Sequence, residues 1–133
     1  MATRNPYANY KENSVMTASP GELTLMLYNG CLKNINLVKK AIDENNIGNR
    51  NLYSMKAQAI IKELMVTLNT DTQIGQDLLR MYDYLLNQLV NANIKNDPQI
   101  LTEVEGFVTD LRDTWKEAIA LDLKQRYGQV KQV

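Results

Sequence analysis

Four stretches of this chain repeat apolar residues at helical spacing, and each is fenced by residues that start or stop helices. That pattern leaves little room for any fold but a helical one. The first start is the clearest. Ser19 is a good N-cap, Pro20 sits where a helix tolerates proline, and Glu22 follows three residues after the cap, which makes a capping box. At about 100° per residue, Leu23, Leu27, Tyr28, Cys31, Ile35, Val38, Ala41 and Ile42 share one face as far as Asp43. The segment ENNIGNRN, with Gly48 and several asparagines, reads as a connection.

A second helix is expected from about Asn51 to Asn69, with Tyr53, Ala57, Ile60, Ile61, Leu64 and Leu68 as its core stripe. Thr70, Asp71 and Thr72 are cap candidates for a third, from about Gln73 to Asn96. Its apolar arc is wide: Ile74, Leu78, Leu79, Met81, Tyr82, Leu85, Leu86, Leu89, Val90 and Ala92. Asp97-Pro98 is another cap-then-proline start. It opens a fourth helix marked by Ile100, Leu101, Val104, Val108, Leu111, Trp115, Ala118 and Ile119. No strand alternation competes. Four such helices with short loops fold most simply as an all-α, antiparallel up-down four-helix bundle in a single domain, residues 1–133. The bundle spans residues 19–123. Residues 1–17 are expected to form a mobile N-terminal arm, and residues 124–133 a polar, frayed tail.

Composition removes several functions. There is no histidine, so the commonest general base and the commonest metal ligand are both missing. Cys31 lies on the core stripe with no histidine to activate it, so it reads as structural, and a single cysteine suits a reducing compartment. Gly21, Gly30 and Gly48 are isolated and make no phosphate loop; Gly30 reads as a site of close helix packing. Glu103 and Glu105, and Lys33, Lys39 and Lys40, read as solvated faces. These features point away from an enzyme, a cofactor or a metal. Lys plus Arg equals Asp plus Glu, 15 each, which argues against nucleic acid. No run nears the roughly 20 apolar residues that span a bilayer, and the N-terminus has no signal-peptide core. A cytoplasmic protein is expected, monomeric or homodimeric.

The helices also carry more apolar surface than a bundle interior needs. Leu25 and Leu32, seven apart, are expected to lie together away from the core stripe of the first helix. On the second, Leu52, Met55, Ala59 and Val66 lie nearly opposite Ile61 and Leu64. The fourth helix is expected to lack such a surplus. Scattered exposed leucines mean little, but a set of them suits a partner's amphipathic helix. Adaptable methionines such as Met55 and Met81 help such a surface fit its guest. Leu25, Leu32, Leu52, Met55, Ala59, Val66 and Met81 are therefore the candidate partner-binding residues. In the arm, Tyr7 and Tyr10 are three apart and could dock as a plug.

The segment SVMTASPGELTLMLYNGCLK resembles the start of the bundle in the flagellin-specific export chaperones, the FliS family. The resemblance runs through Val15, Thr17, Ala18, Ser19, Pro20, Leu23, Met26, Leu27, Tyr28, Asn29 and Gly30. It continues in family order through KAQAIIKEL, MYDYL, LVNANIKND and EVEGFVTDLRDTWKEAI, nearly the whole chain. Thr72-Gln73-Ile74-Gly75 stands where the family often has paired glycines, which leaves the shape of that loop open. The resemblance implies a chaperone that grips the disordered C-terminal segment of flagellin, prevents premature polymerisation and assists delivery to the flagellar type III export gate. It also implies that the arm with Tyr7 and Tyr10 caps the binding surface, and that a flagellar regulatory protein can be a further partner. The alternative is a helical dimerisation or adaptor module that regulates flagellar gene expression or assembly.

Overall fold

The computed structural model describes residues 19–131 and contains four helices in this span: α1 (Pro20–Asp43), α2 (Ile47–Val66), α3 (Gln73–Lys95) and α4 (Pro98–Lys131). The capping box of α1 is complete, because the Ser19 hydroxyl accepts from the Glu22 N–H and the Glu22 carboxylate accepts from the Ser19 N–H. Successive helices pack on one another and α4 closes the ring against α1, as the up-down bundle requires. The two Leu- and Tyr-rich helices α1 and α3 also meet across the ring's diagonal. There Tyr28 and Tyr82, both buried, share a hydrogen bond of 2.5 Å between their hydroxyls.

Glycine sets how closely the helices approach. A Cβ on Gly30 would lie 3.3 Å from Ile60, so α1 and α2 pack closely at this point. At the other end Trp115 donates its indole N–H to the Gly21 carbonyl at 2.9 Å, joining α4 to the first turn of α1. Lys39 and Glu105 join the same two helices at 3.3 Å, so these side chains bridge instead of standing free in solvent. The α1–α2 and α3–α4 connections close alike. Asn45 and Asn96 take the left-handed conformation at φ 55° and 54°. The N–H that follows each reaches back to Ala41 and Ala92 respectively, which is the Schellman closure with asparagine in glycine's place.

Three boundaries differ from the sequence reading. Helix α2 begins at Ile47, because Asn46 and not a later asparagine caps it by accepting from Asn49 N–H. It ends at Val66, where the Thr67 hydroxyl donates to the Leu64 carbonyl. Helix α4 continues to Lys131, so most of the expected tail is helical, with Asp122 and Arg126 paired one turn apart. Lys124, Gln125 and Arg126 are good helix formers even while exposed. The loop before α3 also takes a definite shape. Thr72 caps the helix, and a Cβ on Gly75 would fall 1.9 Å from the Asn69 carbonyl oxygen, so only glycine fits there.

The core contains the expected stripes of α1 to α4, with Leu27, Cys31, Ile35, Ile61, Leu64, Leu85, Leu89, Val104 and Val108 buried. Burial pushes the Cys31 thiol up to about 12 and raises both tyrosines of the diagonal pair above the ordinary phenol value. Groups raised in the folded state stabilise it below their unfolded pKa, and that stability drains away as pH climbs towards the folded value. Stability from these groups should therefore be constant through neutral pH and fall above about pH 9–10. Tyr82→Phe should cost about 1–3 kcal/mol by leaving the Tyr28 hydroxyl unpaired, whereas replacing both tyrosines by phenylalanine should cost much less. Denaturant unfolding of the two variants at pH 7, and of the wild type across pH 7–11, checks both points.

Candidate functional site

Helix α2 has two apolar sides. Its inner side buries Ala57, Ile61 and Leu64 together with Ser54, whose hydroxyl accepts from Gln58. The outer side carries Leu52, Met55, Ala59 and Val66 at offsets of 3, 7 and 14 residues, a spacing that keeps them on one flank. Their exposure is large: 47% for Leu52, 67% for Met55 and 84% for Val66, with Ala59 exposed between them. Lys56, Lys62 and Glu63, all exposed, supply its polar margin. The row is straight and rigid, because the opposite side of the same helix is locked into the core.

The other candidates do not join this row. Leu32 is only 7% exposed and belongs to the core cluster, which corrects the expectation that it lies off the core. The reason is that α1 packs on both α2 and α4, so its buried arc is wider than one stripe and takes in Leu32, one turn beyond Tyr28. Leu25 is half-buried, and Met81 is half-buried against the core. Tyr7 and Tyr10 lie outside the described residues.

The structure also exposes apolar residues outside the set of candidate partner-binding residues. Ile47, Ile74, Ile94, Tyr84, Phe107, Leu121 and Leu123 are exposed. Ile74, on the wide apolar arc read for α3, falls in the first turn of that helix and is exposed. Phe107, Leu121 and Leu123 show that α4 shares the surplus. Two concavities accompany these surfaces. One, of about 160 Å³, lies at the loop end beside Arg50, Asn46 and Asn96. The Arg50 guanidinium there donates to the side-chain carbonyls of Asn93 and Asn96 at 3.1 and 3.0 Å and so ties α2 to the end of α3. The other, of about 410 Å³, lies where α4 runs past the start of α1, between Ser19 and the side chains of Trp115, Ile119 and Leu123.

Chemically these surfaces are suited to contact. Cys31, Tyr28 and Tyr82 are all displaced towards their neutral forms by burial, which makes them poor nucleophiles and bases. Among the described residues no three His, Cys, Asp or Glu side chains converge as a metal would need, and no helix is long and apolar enough to cross a membrane.

Residues 3–122 match the family model for the flagellar protein FliS. The chain is 54% identical to the flagellar secretion chaperone FliS of Bacillus subtilis (strain 168) over 96% of each protein. The chain belongs to the FliS family. It is 32% identical to the Escherichia coli (strain K12) flagellar secretion chaperone FliS, over 81% of this chain and 82% of that one. The fold also matches a solved structure described as a flagellar chaperone from bacteria. The TM-score is 0.72 at 20% identity, covering 86% of this chain and 94% of the other. FliS proteins are chaperones and not enzymes, so the role here is that of a chaperone in flagellar export.

The core and the outer row should respond differently to charge. Leu32→Asp should cost at least about 3 kcal/mol, because a carboxylate would be buried unpaired. Val66→Asp should stay within about 0.5 kcal/mol of wild type. Thermal unfolding followed by circular dichroism measures both; equal losses would remove Val66 from the surface row.

Proposed function

We propose that this FliS protein acts in the cytoplasm by holding the C-terminal segment of flagellin against the outer row of α2 until export. The observation that carries the reading is the helix with two apolar sides. One side is spent on the core, and on the other Leu52, Met55, Ala59 and Val66 are exposed among the described residues. Leu25 on α1 and Met81 on α3 are half-buried and offer separate, smaller contacts, while the buried Leu32 packs in the core.

The mechanism is coupled folding and binding. A segment too poor in apolar residues to order itself gains a folded partner surface and becomes helical on it. Ordering the segment costs about 2–5 kcal/mol of the gross interaction, so a net affinity demands a long, wrapped contact. A straight row of four side chains over 15 residues of α2 supplies only part of it. The exposed Ile74 and Ile94 at the two ends of α3 and the cleft beside Trp115 offer continuations. Burying the segment's polymerising face in this way keeps flagellin monomeric. The arm with Tyr7 and Tyr10 joins the bundle at Ser19, which lines that cleft, and it covers the apolar surface until a guest displaces it. Delivery requires the loaded chaperone to meet a component of the flagellar export gate, and a flagellar regulatory protein can compete for the same surface.

Met55→Asp or Val66→Asp should weaken binding of a flagellin C-terminal peptide at least tenfold, about 1.4 kcal/mol, with helical content unchanged. Because the contact is apolar, wild-type affinity should change less than threefold between 50 mM and 500 mM salt; calorimetric titration gives both numbers. Removing residues 1–10 should speed peptide association, and stopped-flow fluorescence that shows an equal or slower rate would rule out the arm as a plug.

A further inference from the structure

Among the described residues, the large exposed aromatic side chains meet at the outer seam between α3 and α4. Tyr84 is 43% and Phe107 37% exposed, and their rings meet edge to face at 6.1 Å between centroids. The Tyr84 hydroxyl donates to the Glu103 carboxylate, which orients the Tyr84 ring. Pre-ordered aromatic side chains of this sort are common anchors at protein interfaces.

Gly106 lies beside them and is unlike the glycines of α1. The missing Cβ at Gly21 and Gly30 makes room for Ile119 and Ile60, each at 3.3 Å. At Gly106 an added Cβ would meet nothing within 4 Å. A glycine inside a helix weakens it, and within the described residues nothing is gained in return. The gain is then to be sought outside the monomer, in a chain that approaches the α4 backbone closely.

The charge around the patch states what kind of chain. Glu103, Gly106, Phe107 and Asp110 share one flank of α4 at offsets of 3, 4 and 7, and Asp83 is next to Tyr84 on α3. Asp83, Glu103 and Asp110 are exposed and none of them takes part in a salt bridge among the described residues. Between Pro98 and Asp110, α4 has no Lys or Arg at all. Carboxylates around exposed aromatic faces favour a cation: lysine or arginine gains both an ion pair and a ring face.

We infer that the Tyr84–Phe107 seam is a second docking surface, for a basic amphipathic helix of another protein that packs against the α4 backbone at Gly106. The seam belongs to α3 and α4 and the outer row to α2, so the chaperone can hold a guest and this second protein together.

The test titrates the full chain with two synthetic amphipathic peptides, one of leucine and lysine and the other of leucine and glutamate. The lysine peptide should bind in the micromolar range and the glutamate peptide at least tenfold more weakly. Phe107→Ala should lower affinity for the lysine peptide tenfold or more, and Val66→Asp should leave it unchanged. Gly106→Ala is the decisive variant, because it should raise Tm while weakening the lysine peptide at least fivefold. Equal binding of the two peptides, no binding, loss of binding in Val66→Asp, or a Gly106→Ala protein that is more stable and binds as before would each overturn the inference.

Discussion

A helix in a four-membered ring turns only one side to the core, and α2 is apolar on two. The rest of the account depends on that mismatch. Ala57, Ile61 and Leu64 are fully used by the interior, and packing at Gly30 brings α1 hard against the same helix. Nothing can rotate α2 to hide its outer row without pulling the inner one into water. The same packing that stabilises the bundle therefore keeps Leu52, Met55 and Val66 outside. For an exported subunit's chaperone this is useful, because an adhesive surface held on a rigid helix loses little entropy of its own on binding.

The neutral, buried tyrosine pair and the raised Cys31 thiol serve the same end. They fill the interior without a charge to desolvate, and among the described residues every buried side-chain polar atom has a partner. A core with no unsatisfied group has no internal reason to open. On the proposed reading, adaptability comes from flexible exposed side chains such as Met55 over a fixed frame.

Much of this was legible in the sequence because helical bundles write their core as a period. Ser19-Pro20, Thr72 and Asp97-Pro98 marked starts that the structure keeps, and the α1 stripe from Leu27 to Ala41 is buried as spacing requires. The errors have physical causes. Leu32 was misplaced because a period identifies the centre of a buried arc and not its width, and α1 has two close neighbours. The start of α2 was displaced because several asparagines can cap a helix and only the fold selects Asn46. Polarity alone does not separate a frayed end from an exposed helix, and nothing in the polar residues Lys124 to Arg126 opposes the helix that α4 forms there. Phe107 sits one position before Val108 on a helix whose stripe was already full, so spacing alone gave no reason to place it outside.

The central claim is that the outer row of α2 is the seat of the guest. It is tested most directly by methyl NMR of the full chain, with and without the flagellin C-terminal segment. The account predicts that the methyl signals of Leu52, Met55 and Val66 shift together on addition of the segment, while those of Leu64 and Leu89 in the core hold their positions. Shifts confined to other surfaces, with the three α2 signals unmoved in the saturated complex, would contradict it.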